Sequence, residues 1–83
     1  MIYLIFTQDG FKEALATLLE EKATLWMNND TLSEQQLTVL KQGSVNVHYF
    51  AENVDANNEK SILTALKEVE DNAPQAEIFV EYL

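Results

Sequence analysis

The chain has 83 residues, 47% of them hydrophobic, with no cysteine, no arginine, and fourteen acidic side chains against five lysines, a formal charge of −9. Lacking cysteine, it has no disulfide framework, thiolate nucleophile or Cys-ligated zinc, and lacking clustered Lys and Arg to displace counterions it is not expected to bind nucleic acid directly. No apolar run approaches the roughly eighteen residues that span a bilayer, and the start IYLIF is too short and lacks the basic flank of a signal peptide, so a soluble cytoplasmic protein with no membrane partner is expected.

Ile2 to Phe6 is a continuous run of apolar β-formers, the pattern of a strand buried on both faces of a parallel sheet. Phe11, Ala14, Leu15, Leu18 and Leu19 then recur at helical spacing, with Lys12, Glu13 and Glu20 off the stripe. Thr7 stands at the N-cap, Asp9 in the first turn where the helix dipole favours an anion, and Phe6 with Phe11 in the positions of a hydrophobic staple. Residues 23–27, ATLWM, read as a short strand, because prolonging the helix through them would bring Lys22 onto the apolar stripe.

The following polar knot leads into a helix from about Ser33 to Gln42. Ser33 with Gln36 forms a capping box, Leu32 with Leu37 a second staple, and Gly43 is the expected C′ residue. Residues 45–50, VNVHYF, alternate, with Val45, Val47 and Tyr49 on one face and Asn46, His48 and Phe50 on the other. After the loop AENVDANNE, the spacing of Ile62, Ala65, Leu66 and Val69 predicts a third helix, which Asn72-Ala73-Pro74 stops. The closing EIFVEYL sets Ile78, Val80 and Tyr82 opposite Glu77, Phe79 and Glu81 and reads as a fourth strand.

The order β-α-β-α-β-α-β predicts a small single α/β domain over residues 1–83, with three helices and a four-stranded, mainly parallel sheet joined by right-handed crossovers. A domain of this size buries only roughly 60–65% of its unfolded surface. Strand order 2-1-3-4 is expected, with the first helix on one face and the other two opposite. One helix cannot cover four strands, so the less apolar sides of strands three and four should stay open, placing Asn46 and His48 beside Glu77, Phe79 and Glu81. Together with Phe50 these residues form a candidate interface, and covering it predicts a homodimer.

In open α/β sheets ligands bind outside the carboxyl ends of the strands. Those ends are TQDG at 7–10, NNDTLS at 28–33 and AENVDANNE at 51–59, and each carries an aspartate: Asp9, Asp30 and Asp55, with Asn28 and Asn29 alongside. Oxygen ligands of this kind suit Mg²⁺ or a polar small molecule; the same residue types also serve as helix caps and Asx turns. No dinucleotide, Walker or GxSxG motif occurs, and a single histidine, His48, excludes a histidine-rich metal cluster. No catalytic residue and no cofactor is assigned. The leading expectation is a non-enzymatic, self-associating interaction domain whose acidic surface meets a basic protein or serves solubility. A ligand- or Mg²⁺-binding domain at the strand-end loops is the second. The third, a DNA mimic that occupies a basic protein, wants its acidic residues ranked on one face, whereas here they run dispersed from Asp9 to Glu81.

Overall fold

A computed structural model describes residues 1–81. The alternation of apolar runs and helical stripes becomes β1 (Ile2–Ile5), α1 (Gln8–Glu21), β2 (Thr24–Met27), α2 (Glu34–Gln42), β3 (Asn46–Tyr49), α3 (Glu59–Asn72) and β4 (Ile78–Val80). All strand pairs are parallel, in an α/β fold of the expected class. Tyr82, which the alternation assigns to the last strand, lies outside the described residues.

The strand order is β3-β2-β1-β4, not 2-1-3-4. The reason is legible in β2: Leu25, Trp26 and Met27 are three consecutive buried residues, which need cover on both faces and therefore an interior position. The alternating, half-polar β3 moves outside β2, and the short β4 becomes the other edge beside β1. Helix placement changes accordingly. Phe11 and Leu18 of α1 and Leu40 of α2 share one cluster with Ile5, Leu25, Met27 and Val45. Ala65 and Val69 of α3 alone cover the other face, against Ile2, Leu4, Trp26, Phe50 and Val54.

The register puts Leu4, Trp26, His48 and Val80 in one row on the α3 face and Tyr3, Leu25, Val47 and Phe79 in a row on the opposite face. Asn46 and His48 therefore sit on the α3 side of one outer strand, while Phe79, with Glu77 and Glu81 by alternation, sits on the α1 side of the other. The expected common polar face does not form.

Both α1 and α2 end in a Schellman motif that feeds the next strand directly. In α1 the Ala23 N–H donates to the Leu18 carbonyl (3.1 Å) and the Lys22 N–H to that of Leu19 (3.4 Å); in α2 Val45 donates to Leu40 (2.9 Å) and Ser44 to Lys41 (3.2 Å). The left-handed residues are Lys22 (φ 51°) and Ser44 (φ 64°). Gly43, expected at that place, has φ −84° and lies one residue early. Its lack of a side chain answers a different need, since a Cβ there would collide with Leu19 of α1. Phe6 and Phe11 also part company, packing into clusters on opposite faces of the sheet instead of stapling one another. Among the described residues no helix is long and apolar enough to cross a membrane.

Candidate functional site

The crossovers α1 and α2 carry the chain to one side of β1, and α3 brings it back to the other, so the order reverses between β1 and β4. This switch point is where an open α/β sheet offers a crevice at its carboxyl ends. The chain fills it itself. Glu81, leaving β4, accepts hydrogen bonds from the backbone N–H of Phe6 (2.6 Å) and Thr7 (3.1 Å) and from the Thr7 hydroxyl (2.5 Å). Thr7 Oγ1 in turn accepts from the Gly10 N–H at 3.0 Å, as the N-cap of α1. Unpaired N–H groups and the helix dipole make such a terminus attractive to anions, and here the anion is a carboxylate of the same chain. Gly10 permits the approach, because a Cβ on it would run into the Glu81 carboxylate.

The rest of the rim is bonded loop to loop. Gln8 Nε2 donates to the Thr31 carbonyl (2.5 Å) and to Gln36 Oε1 (2.8 Å), and Gln36 Nε2 donates back to Gln8 Oε1 (3.0 Å). The capping box is present, Ser33 N–H to Gln36 Oε1 at 2.9 Å and Gln36 N–H to Ser33 Oγ at 3.2 Å. Asn28 clamps Val54 at both ends of its amide, donating to its carbonyl (2.9 Å) and accepting from its N–H (2.6 Å). Asn29 donates its backbone N–H to Asn53 Oδ1 (3.4 Å), and Asp55 Oδ1 accepts from the Asn57 N–H (2.9 Å) in an Asx turn. The side chains of two expected ligand residues, Asn28 and Asp55, are thus engaged in holding loops, and Asn29 joins them through its backbone N–H alone. Asp9, in the first turn of α1, and Asp30, in the turn after β2, are both exposed. Among the described residues no group of three or more His, Cys, Asp or Glu could hold a metal ion, so the three aspartates form no common site.

The expected interface residues divide between the two edges. On β3, His48 is exposed and stacks on Trp26, ring centres 5.0 Å apart at 19°. Phe50 is buried against Phe6 and Trp26, at 5.9 and 5.8 Å, and belongs to the core. On β4, Phe79 is 46% exposed and stacks on Tyr3, 5.2 Å away at 21°. Beside this pair a groove of about 280 Å³ runs between β4 and α1, with Tyr3, Ile5, Ala14 and Phe79 inside it and Glu13 and Glu81 among its lining. A wider cleft of about 440 Å³, between loop 51–54 and α3, has Glu52, Lys60 and Glu68 on its walls and no exposed aromatic ring.

The Tyr3 hydroxyl donates to Glu21 Oε2 at 2.6 Å. That hydrogen bond, then burial, then the Glu21 charge push the phenol up to about 12. Sequence reasoning did not single out Tyr3 or Glu21. The available signal is a phenol inside an apolar strand run, which must find an acceptor when its ring is packed down. No protein-family model, curated protein or solved structure matches this chain, and the functional reading rests on its own geometry.

Proposed function

We propose that this chain is a small, acidic, non-enzymatic interaction domain of the cytoplasm that docks another polypeptide at the outer edge of β4, either a second copy of itself or a basic protein. The observation that carries the reading is Phe79, 46% exposed and stacked on Tyr3 at the edge of a sheet. A large ring held rigid in solvent beside an apolar groove costs hydration free energy in the isolated chain, and a partner recovers it on binding. The rim supports the same reading from the other side: Gln8, Asn28, Gln36 and Asp55 spend their side chains on neighbouring backbone and loops, and an anionic ligand at α1 would have to displace Glu81.

The test is native mass spectrometry of the untagged protein from the cells that make it, beside a Phe79→Ser variant whose fold is checked by circular dichroism. The reading expects an added polypeptide mass that the variant loses. A retained small molecule or metal, or a partner mass indifferent to Phe79, would overturn it.

A further inference from the structure

We infer that the occupant of this edge is an extended basic segment of a different protein, with the pattern basic-apolar-apolar-apolar-basic, which adds beside β4 as a fifth strand. The inference rests on the interaction reading above and narrows it to one partner chemistry. The backbone supplies the frame. Ile2 N–H bonds the Glu77 carbonyl (2.9 Å) and Glu81 N–H bonds the Leu4 carbonyl (2.9 Å), so these groups of β4 face β1. Strand alternation then directs the amide and carbonyl groups of Ile78 and Val80 away from the sheet, as the template for a further strand.

Side-chain chemistry supplies the pattern. Opposite Phe79, on the α1 face, the added strand needs a large apolar residue to cover the ring at the strand spacing of about 4.8 Å. Its two neighbours turn to the α3 face beside the half-buried Ile78 and Val80 and should also be apolar. The residues two places either side of the centre return to the α1 face, where one end meets the exposed Glu77 and the other meets Glu13 and Glu81. Glu13 and Glu81 line the groove and no lysine does. Lys or Arg at those two places gains one acidic neighbour at one end and two at the other.

Charge also decides between the two occupants. A second copy pairing antiparallel about Phe79 would bring Glu77 of each chain to the end of the other's groove where Glu13 and Glu81 lie, between molecules that each carry −9. Like charges directly opposite across a strand pair are destabilising. A basic strand turns Glu77, Glu13 and Glu81 into attraction and gains encounter rate from the field of the whole molecule.

The experiment uses the full chain, isotope-labelled for amide NMR, with the capped peptide Lys-Lys-Val-Phe-Val-Lys-Lys and its counterpart in which every Lys is Gln. Expected are saturable shifts concentrated at 77–81, Tyr3 and α1, with affinity at least about tenfold weaker for the Gln peptide and for Phe79→Ser, and falling as salt rises. Glu77→Gln, an exposed substitution with little risk to folding, should weaken the Lys peptide while leaving the Gln peptide unchanged. Equal binding by both peptides, or shifts scattered over the whole acidic surface, would overturn the basic-segment inference. A dimer in sedimentation that Phe79→Ser dissolves would also overturn it while the interaction reading stands. A monomer that binds neither peptide, and whose partner mass from cells does not depend on Phe79, would remove both.

Discussion

The side-chain amides of Gln8 and Gln36 exchange a pair of hydrogen bonds, 2.8 and 3.0 Å, across the start of the two helices that share one face of the sheet. Because Gln36 also closes the capping box of α2 and Gln8 also holds the Thr31 carbonyl, this pair fixes the relative seating of α1 and α2. Replacing either glutamine by alanine should cost about 1 kcal/mol, and the double variant should cost less than the sum by about 0.5–1.5 kcal/mol. Urea unfolding of the four chains measures this, and strict additivity would mean that the pair is not coupled.

Glu81 and Gly10 make a second coupled pair, with opposite sign. Glu81→Ala leaves the amides of Phe6 and Thr7 without their carboxylate and should destabilise by about 1–3 kcal/mol. Gly10→Ala should also destabilise, since its new methyl meets that carboxylate. In the Glu81→Ala background the obstruction is gone, and alanine's better helix propensity should make Gly10→Ala neutral or stabilising by up to about 1 kcal/mol. Thermal unfolding of the four chains reads the sign change.

The elements of this fold were largely legible, because strands and helices are written in local periodicity: the Ser33–Gln36 capping box and the Thr7 cap stand where the sequence places them. Strand order is a competition between strands, and the signal that decided it was the unbroken burial of Leu25, Trp26 and Met27. The sequence reading kept that strand at an edge. The rim was legible only as polar loops. That Asn28 would clamp Val54, 26 residues away in sequence, depends on β3 lying beside β2, which local pattern does not record. Glu81 was misread for a related reason. Alternation puts it on the sheet face, but β4 ends at Val80, and the carboxylate folds over the rim to the start of α1.

The two left-handed residues offer a stability gain. Lys22 and Ser44 hold φ of 51° and 64° with a Cβ in place, a conformation glycine adopts without that steric cost. Lys22→Gly and Ser44→Gly should each stabilise by about 0.5–1 kcal/mol, less the entropy glycine adds to the unfolded chain. Gly43→Ala carries no such relief of strain, because Gly43 already has φ −84° and its added methyl has only the flexible end of the Leu19 side chain to displace. Chemical denaturation midpoints distinguish the two positions, and a loss of stability at Ser44→Gly would show that the adjacent glycine, not the serine, sets the turn.

Tyr3 ties the outer face to pH. Its phenol is raised from 10.0 to about 12, first because its proton is hydrogen-bonded to Glu21, then by burial and by the charge of that carboxylate. Ionising it places two anions side by side and breaks the 2.6 Å bond. The folded chain therefore holds this proton more tightly than the unfolded chain, and the stability it contributes is fully present below about pH 10 and lost as pH rises through about 12. A near-ultraviolet phenolate titration, with Tyr3→Phe subtracted, should show the late midpoint. Glu21→Gln should bring it back toward 10.0, the ordinary value.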